Sequence, residues 1–496
     1  MTSGEDILIS ERIKKLKEIV ALGINPYPYK YEPTHHAKEI LDKYSGLKAE
    51  EKTTVKVKVA GRIVSMRDMG KVAFAHLQDE SGRIQLFFRE DELALQYALF
   101  RLLDMGDIVG VEGHVFKTKT GETSVWVERL DLLCKSIRPL PEKWHGLKDP
   151  ELIYRKRYLD LIMNPESKGR FKLRSKIVST MREFLNGKEF LEVETPTLQP
   201  VYGGAAAKPF TTHHNALDMK LYLRISDELY LKRLMVGGFE KVYELTKDFR
   251  NEGIDRSHNP EFTMMECYAA YWDYNDVMKF TEDLIAYSAL KTLGTTDVKY
   301  GGHDINLKPP FMRMTMVDAI KKYTEFGDVE KLSDDELKEI MSRFFADVKG
   351  DYSRGNAIFT IFDQMAQSKI IQPTFIIDHP IETTPLCKPH RDSKKDGFVE
   401  RFELFINGTE IANAYTELND PILQRELLED QAKQLKSGFE EAHPMDEDFM
   451  EAIEVGMPPT GGLGIGVDRL VMLLTGAESI RDVIFFPTMR TIEEKK

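Results

Sequence analysis

Three stretches of the chain set reactive side chains at spacings suited to nucleotide chemistry. The densest is Phe249-Arg250-Asn251-Glu252, followed by Arg256-Ser257-His258-Asn259-Pro260-Glu261-Phe262 and then Met264-Met265-Glu266. It reads as two β runs joined by a polar loop. An arginine fixed on a strand can grip an α-phosphate through two parallel N–H bonds, while the loop reaches the outer phosphates. Phe262 offers a ring on which a purine can stack. The second stretch is Gly461-Gly462-Leu463-Gly464-Ile465-Gly466-Val467-Asp468-Arg469-Leu470. Glycines this close together let backbone approach a ligand. The run lacks the Gly-Lys-Ser/Thr of a Walker A loop and the GxGxxG spacing, so it predicts a different nucleotide site. The third stretch, Lys188-Glu189-Phe190-Leu191-Glu192-Val193-Glu194-Thr195-Pro196, predicts a strand that ends at proline, entered from a helix-like stretch at Lys172–Leu185. An edge strand without function shares that pattern.

The elements that must carry these residues fall into distinct patterns. From about Asp6 to Leu22, Ile9, Ile13, Leu16 and Val20 recur at helical spacing among charges. That predicts an amphipathic helix, stopped by Gly23 and the Pro26–Pro28 pair. Between Thr53 and Ser136 short β-type runs alternate with turns at Gly70, Gly82 and Gly121, and a helical stretch from Asp91 to Leu103 follows the third run. Five strands with a helix after the third is the order of an OB-fold barrel, with another small antiparallel barrel as the alternative. Ser136–Pro150, containing Arg138-Pro139-Leu140-Pro141, predicts a linker. Beyond it, helical stretches such as Arg174–Leu185 and Asp276–Leu290 alternate with β-like runs at Tyr222–Ile225, Lys241–Leu245 and Ile358–Ile361. The tail after Pro487 is polar and is predicted to fray. The expected organisation is an N-terminal helical extension (1–50), a barrel (51–136), a linker (137–150) and one large mixed unit (151–496), an α+β protein.

Composition narrows the function classes. With 42% apolar and 30% charged residues the chain is an ordinary globular protein. No apolar run approaches the roughly 18–20 residues of a membrane span. Met1–Ser10 carries Glu5 and Asp6 without a basic region, which predicts no signal peptide and a cytoplasmic protein. Cys134, Cys267 and Cys387 stand far apart, against a disulfide framework or a cysteine zinc site. The net charge of -12 opposes general nucleic-acid binding. Yet residues 52–71 hold Lys52, Lys56, Lys58, Arg62, Arg67 and Lys71 against the single acid Asp68, a patch able to meet RNA.

In order and separation, the three stretches resemble the signature motifs of class II aminoacyl-tRNA synthetases. The likeness extends to the lysyl enzymes of that class through Ala205-Ala206-Ala207-Lys208-Pro209-Phe210, Thr212-His213-His214-Asn215 and Glu228-Leu229-Tyr230-Leu231-Lys232. It continues through Arg401-Phe402-Glu403-Leu404-Phe405 and Tyr415-Thr416-Glu417-Leu418-Asn419-Asp420, so it covers nearly the whole chain. Two positions depart, Lys208 where the family often has arginine and Lys188 where it often has glycine.

The resemblance implies an OB-fold anticodon-binding domain ahead of an antiparallel-sheet catalytic domain. It also implies a homodimer built on the first motif, with ATP, L-lysine and tRNA(Lys) as substrates and Mg²⁺ as cofactor. By the same likeness Arg250 binds the α-phosphate and the amino-acid carboxylate, and Glu252, His258 and Asn259 surround the adenine and the outer phosphates. Phe262 and Arg469 sandwich the adenine ring, and Arg250 and Arg469 neutralise charge during the reaction. Glu403 and Glu410 hold the metal, for which hard oxygen ligands are suited. Glu266, Glu417 and Tyr268 meet the lysine side chain, Glu228 meets its α-ammonium, and Gly204 and Asn413 line the same pocket. Acids around a buried ammonium reject an uncharged isostere, because their own charges would be left unpaired. An aspartyl enzyme would instead set a basic residue near position 417. In the barrel, Phe74 and Gln85, with Arg67 and Glu122, match anticodon-contacting positions. As a bare residue, Phe74 fits the barrel core equally well.

Overall fold

Alternating apolar residues build the first of two units. The computed structural model describes residues 4–141, 147–345, 352–436 and 442–491. The chain divides into Met1–Gly146 and Leu147–Lys496. In the first unit, β1 (Lys52–Asp68), β2 (Val72–Gln78), β3 (Arg83–Arg89), β4 (Ile108–Lys117) and β5 (Thr123–Cys134) close a barrel in the order β1-β2-β3-β5-β4. Along β2 the side chains of Ala73, Ala75 and Leu77 point into the barrel, while Phe74 and His76 point outward. Two short helices, Glu90–Leu93 and Leu95–Leu102, stand where one helical stretch was expected, because Ala94 breaks between them at φ 46°. The N-terminal helix Gly4–Ala21 packs in the same unit, with Ile19 joining the barrel's apolar cluster. Its buried Arg12 donates to the carbonyls of Met105 (2.9 Å) and Ser136 (3.1 Å). The expected linker falls partly outside the described residues.

In the second unit the strands are β6 (Leu191–Glu192), β7 (Leu198–Gln199), β8 (Thr211–His214), β9 (Met219–Leu223), β10 (Lys241–Phe249) and β11 (Glu261–Ala270). They continue with β12 (Asp297–Tyr300), β13 (His303–Asn306), β14 (Met312–Thr315), β15 (Thr374–Pro380), β16 (Phe398–Ile406), β17 (Thr409–Thr416) and β18 (Thr460–Gly466). Eight of these form one sheet in the order β14-β15-β16-β17-β18-β11-β10-β6. The central pairs are antiparallel, and only the margins, β14 with β15 and β10 with β6, are parallel. Helices Pro165–Gly187, Tyr274–Leu293 and Val467–Thr475 bring Met181, Leu284 and Leu470 into one core with Met265, Leu463 and Ile465 of the sheet.

Two expectations fail. Ile358–Ile361 is the end of a helix, Arg354–Ile361, and not a strand. Ser353 caps it by accepting from Asn356 N, and Ala357, Ile358 and Ile361 recur at helical spacing on the buried side, which overrides the β preference of the isoleucines. The tail after Pro487 is also tied down at its start, where Thr488 N donates to Asn259 (3.3 Å); residues 492–496 lie outside the described ones.

Candidate active site and barrel face

Strand register decides which side chains meet on the sheet face opposite those helices. Glu244 on β10 faces Glu266 on β11, Glu266 faces Gly464 on β18, Gly464 faces Asn413 on β17, and Asn413 faces Glu403 on β16. The neighbouring row carries Tyr268, Gly462, Tyr415 and Arg401. β18 alternates, with Leu463 and Ile465 in the core and glycines toward the site. A Cβ on Gly462 would collide with Glu417 Oε1 and the Tyr268 ring, and one on Gly464 would lie 3.2 Å from Met264 Cε. The glycine run therefore makes the floor of a pocket.

Three acids surround that floor, Glu228 (3% exposed), Glu266 (6%) and Glu417 (0%). Glu266 accepts from Ser226 Oγ (2.9 Å) and from the Tyr268 hydroxyl (3.1 Å). Glu228, on the first turn of the helix Glu228–Val236, accepts from Lys232 Nζ and the Tyr415 hydroxyl, both at 2.6 Å. Glu417, fully buried, forms a close ion pair with Lys232. Burial pushes the Glu417 carboxyl well above the usual range; Lys232 opposes that shift and Glu228 adds to it. Burial alone would discharge Lys232, but Glu228 and Glu417 outweigh it and hold the ammonium charged. Glu228 and Glu417 thus share one resident cation while Glu266 has only neutral hydroxyl donors, and a second ammonium is a partner this group of acids can take. Gly204 lies at φ +86°, where a Cβ would also come within 2.8 Å of Ser226 Oγ, so glycine keeps this wall open.

The nucleotide residues lie along the β10–β11 hairpin and the helix after β18. Arg250 extends the hairpin, its N donating to Pro260 O (2.9 Å) and its guanidinium standing 5.1 Å from the Phe262 ring centre. Asp255 folds the intervening loop by accepting from the backbone N of Ser257 (2.6 Å) and His258 (2.8 Å). His258 is thereby aimed so that Nε2 lies 3.3 Å from Arg469. Arg469 also donates to Glu410 O (2.9 Å) and Oε2 (3.1 Å). Glu252 is exposed on the loop, whereas Asn259 is buried and braces Glu261 O (2.6 Å). Phe262 has Arg250 over its ring, while Arg469 meets His258 and Glu410.

Glu403 and Glu410 meet through a bulge. A two-residue turn at Asn407-Gly408, both at positive φ, joins β16 to β17. The register then slips between Leu404 and Phe405, so that Ile411 and Ala412 are both buried in the helix-covered core. That slip turns Glu410 to the face of Glu403. Arg401 donates to Glu403 (2.6 Å) and to Asn413 (3.1 Å). Burial raises the Glu403 carboxyl to about 7; Arg401 pulls it down, while Glu410 and Asp363 add to the rise. Glu403 and Glu410, whose charges act on each other, are hard oxygen donors of the kind Mg²⁺ takes, with the charge of Asp363 also felt at Glu403. Sequence reasoning missed Asp363 and gave no role to Lys232. The Glu228-to-Lys232 spacing, one helical turn, was the available signal for the latter; nothing marked Asp363.

In the first unit the anticodon candidates share the barrel's outer face. Phe74 packs on Phe87 (5.0 Å), which packs on Trp126 (4.8 Å), outside the barrel core. Arg67 pairs with Phe74 in register and is exposed. Beside them Gln85 donates to Glu122 (2.6 Å) and accepts from Ser124 Oγ (2.8 Å), and His76 lies 2.9 Å from Glu122. His76 was not anticipated. Of the basic patch, Lys56 and Lys58 pair with Glu128 (3.0 Å) and Glu112 (3.3 Å).

The sequence matches the family described as tRNA synthetases class II (D, K and N) over residues 149–490, and an OB-fold nucleic acid binding domain over 57–133. The chain belongs to the class II tRNA synthetases. Within them it is 54% identical to a lysine–tRNA ligase of Carboxydothermus hydrogenoformans, covering 97% of this chain and 98% of that protein. A lysine–tRNA ligase of Oceanobacillus iheyensis is 53% identical over the same shares. One from Clostridium botulinum is 52% identical over 97% of this chain and 95% of its own length. For a class II tRNA synthetase the two units divide the work expected of it, an antiparallel sheet with a pocket and an OB-fold with an aromatic outer face. No helix among the described residues is long and apolar enough to cross a membrane.

Proposed function

We propose that the protein is a lysine–tRNA ligase, which activates L-lysine with ATP and joins it to the 3′ end of tRNA(Lys). The observation that carries this reading is the pocket in which the buried acids Glu228, Glu266 and Glu417 stand together and only Lys232, paired to Glu228 and Glu417, answers their charge. A substrate side chain ending in an ammonium supplies a further cationic donor to these acids; a carboxylate does not.

Arg250 orients the substrate carboxylate and the α-phosphate against each other, which converts an encounter into a positioned attack. A carboxylate oxygen attacks the α-phosphorus and pyrophosphate leaves; no general base is needed. Arg250 and Arg469 offset charge as it builds on the phosphates. Glu403 and Glu410, with Asp363 beside them, would hold Mg²⁺, which supplies further charge neutralisation when bound. The tRNA 3′-hydroxyl then attacks the lysyl-adenylate and AMP departs. The barrel's outer face, with Phe74, Gln85, Arg67 and Glu122, would stack and hydrogen-bond the anticodon bases. A homodimer joined through the first motif fits the exposure of Leu191 and Leu198, 48% each, on either side of Thr195-Pro196. Three cysteines far apart in sequence and in no disulfide support a reducing cytoplasm as the protein's compartment.

ATP–pyrophosphate exchange with each of the twenty amino acids, without tRNA, tests the reading. Exchange driven by lysine alone is expected. Exchange driven by aspartate or asparagine would overturn the assignment of the pocket acids.

A further inference from the structure

We infer that Asp227, Asp248 and Glu266 form a binding site for a hard divalent cation of calcium size, distinct from the Glu403–Glu410 pair. Each of the three offers a carboxylate oxygen, and these oxygens all lie within 4.8 Å of one another. Oxygens inside that limit can ligate one ion together, because two calcium ligands at roughly 2.4 Å stand no more than about 4.8 Å apart. The site is three strand steps from Glu403 along the same row, about 14 Å at ordinary strand spacing.

The two aspartates point to a ligand by what they lack. Asp227 and Asp248 are both essentially buried (0% exposed), and none of their four carboxylate oxygens has a hydrogen-bond partner. Asp227 stands at the N-cap of the helix Glu228–Val236 yet accepts no cap bond. The cation nearest Asp248 in ion-pair range is Arg224, whose Nε is 3.6 Å away, beyond hydrogen-bond distance. That guanidinium is already committed to Glu244 (2.7 Å), Lys247 O (3.0 Å) and Thr195 O (3.2 Å). Glu266 takes hydrogen bonds from Ser226 and Tyr268, which fix its carboxylate beside the aspartates.

Buried carboxylates this close, with only the guanidinium of Arg224 at 3.6 Å and the charge of Arg250 acting on Asp248, are costly unless something positive joins all three. A proton shared between Asp227 and Glu266 would answer one pair of oxygens and leave Asp248 unanswered. A cation answers all three at once, and carboxylate oxygens select calcium, magnesium or manganese over softer metals. Its structural effect would be to tie the Ser226–Glu228 turn to β10 and β11. Two walls of the amino-acid pocket, Glu228 and Glu266, would then be held by one ion.

The test uses the full chain without nucleotide, stripped with chelator and returned to calcium. An E403Q/E410Q double variant removes the other carboxylate pair. One calcium per chain is expected to remain bound to that variant, with the melting temperature raised by about 5 °C or more over chelator-treated protein. D227N and D248N are each expected to lose the ion and the shift. Failure of the E403Q/E410Q variant to bind calcium, or retention of the ion by both D227N and D248N, would overturn the site. Should either aspartate variant fail to fold, absence of a calcium-dependent melting shift in the unaltered chain would overturn it equally.

Discussion

The barrel face and the sheet pocket are both polar, but they are built to opposite rules. On the barrel, Gln85, Glu122, His76 and Ser124 already satisfy one another beside an aromatic platform, and all but Ser124 are at least partly open to water. In the pocket, Glu417 is fully buried, it shares the one Lys232 ammonium with Glu228, and Glu266 stands near. Exchanging an exposed hydrogen bond for another costs little, so the barrel face can read flat bases with modest energies each. A buried charge left alone costs several kcal/mol, so the pocket discriminates steeply by demanding its missing partner. Recognition of a base and recognition of an ammonium therefore call for different burial, and the two units supply it.

Substitutions that separate the two rules give the clearest tests. The largest effect is expected from Arg250→Ala, which removes the grip on phosphate and carboxylate and should slow lysine-dependent ATP–pyrophosphate exchange by about three orders of magnitude. The melting temperature should hold, since Arg250 makes one long hydrogen bond to Ile225 O (3.4 Å); near-normal exchange would remove it from the chemistry. Next in size is Glu417→Gln. Loss of one buried charge opposite the substrate ammonium should raise the lysine KM by about 10²–10³-fold, while barrel-dependent tRNA binding stays unchanged. A KM within threefold of normal would mean that Lys232, and not substrate, is the partner of Glu417.

Burial also predicts a pH signature. His443 is 6% exposed beside Gly203, and burial, with Lys232 adding to it, lowers its pKa to about 4. The unfolded chain takes up a proton at this side chain as pH falls through 6.5, while the folded chain resists until about 4. Stability contributed by neutral His443 is therefore complete above pH 6.5 and falls by about 3 kcal/mol on the way to pH 4. Urea unfolding of the unaltered chain and His443→Gln at pH 7 and pH 4 should show their difference shifting by that amount. An unchanged difference would mean His443 reaches water.

Much of this was legible because it is written in local periodicity. The alternation along β2 and the glycine alternation along β18 each carry their own two-residue period, and the Arg250 hairpin announces its strands and polar loop. What could not be read depends on pairing between distant segments. The bulge that turns Glu410 toward Glu403 is set by register across a hairpin, and seven residues of separation do not specify it. Asp363 reaches the same acids from a turn, Phe362–Ala366, that no sequence pattern ties to them. Ile358–Ile361 misled because β-branched residues fit a strand as bare types, and only the cap at Ser353 and the buried helical face decide otherwise.

The smallest expected effect tests the barrel half of the comparison. Phe74 lies on the outer face against Phe87, so its removal leaves the barrel core intact and deletes only a stacking surface. Stacking of one base on an aromatic ring is worth about 1–3 kcal/mol, which converts to roughly a 5- to 150-fold loss. For Phe74→Ala the expected outcome is a loss of about tenfold in charging efficiency, read as kcat/KM for tRNA. Lysine-dependent exchange without tRNA should stay at the level of the unaltered chain. Equal loss in both assays would mean that the barrel supports the fold of the chain and not base recognition. Full charging would move the anticodon contact off Phe74, with exposed Arg67, its partner in register, as the next residue to replace.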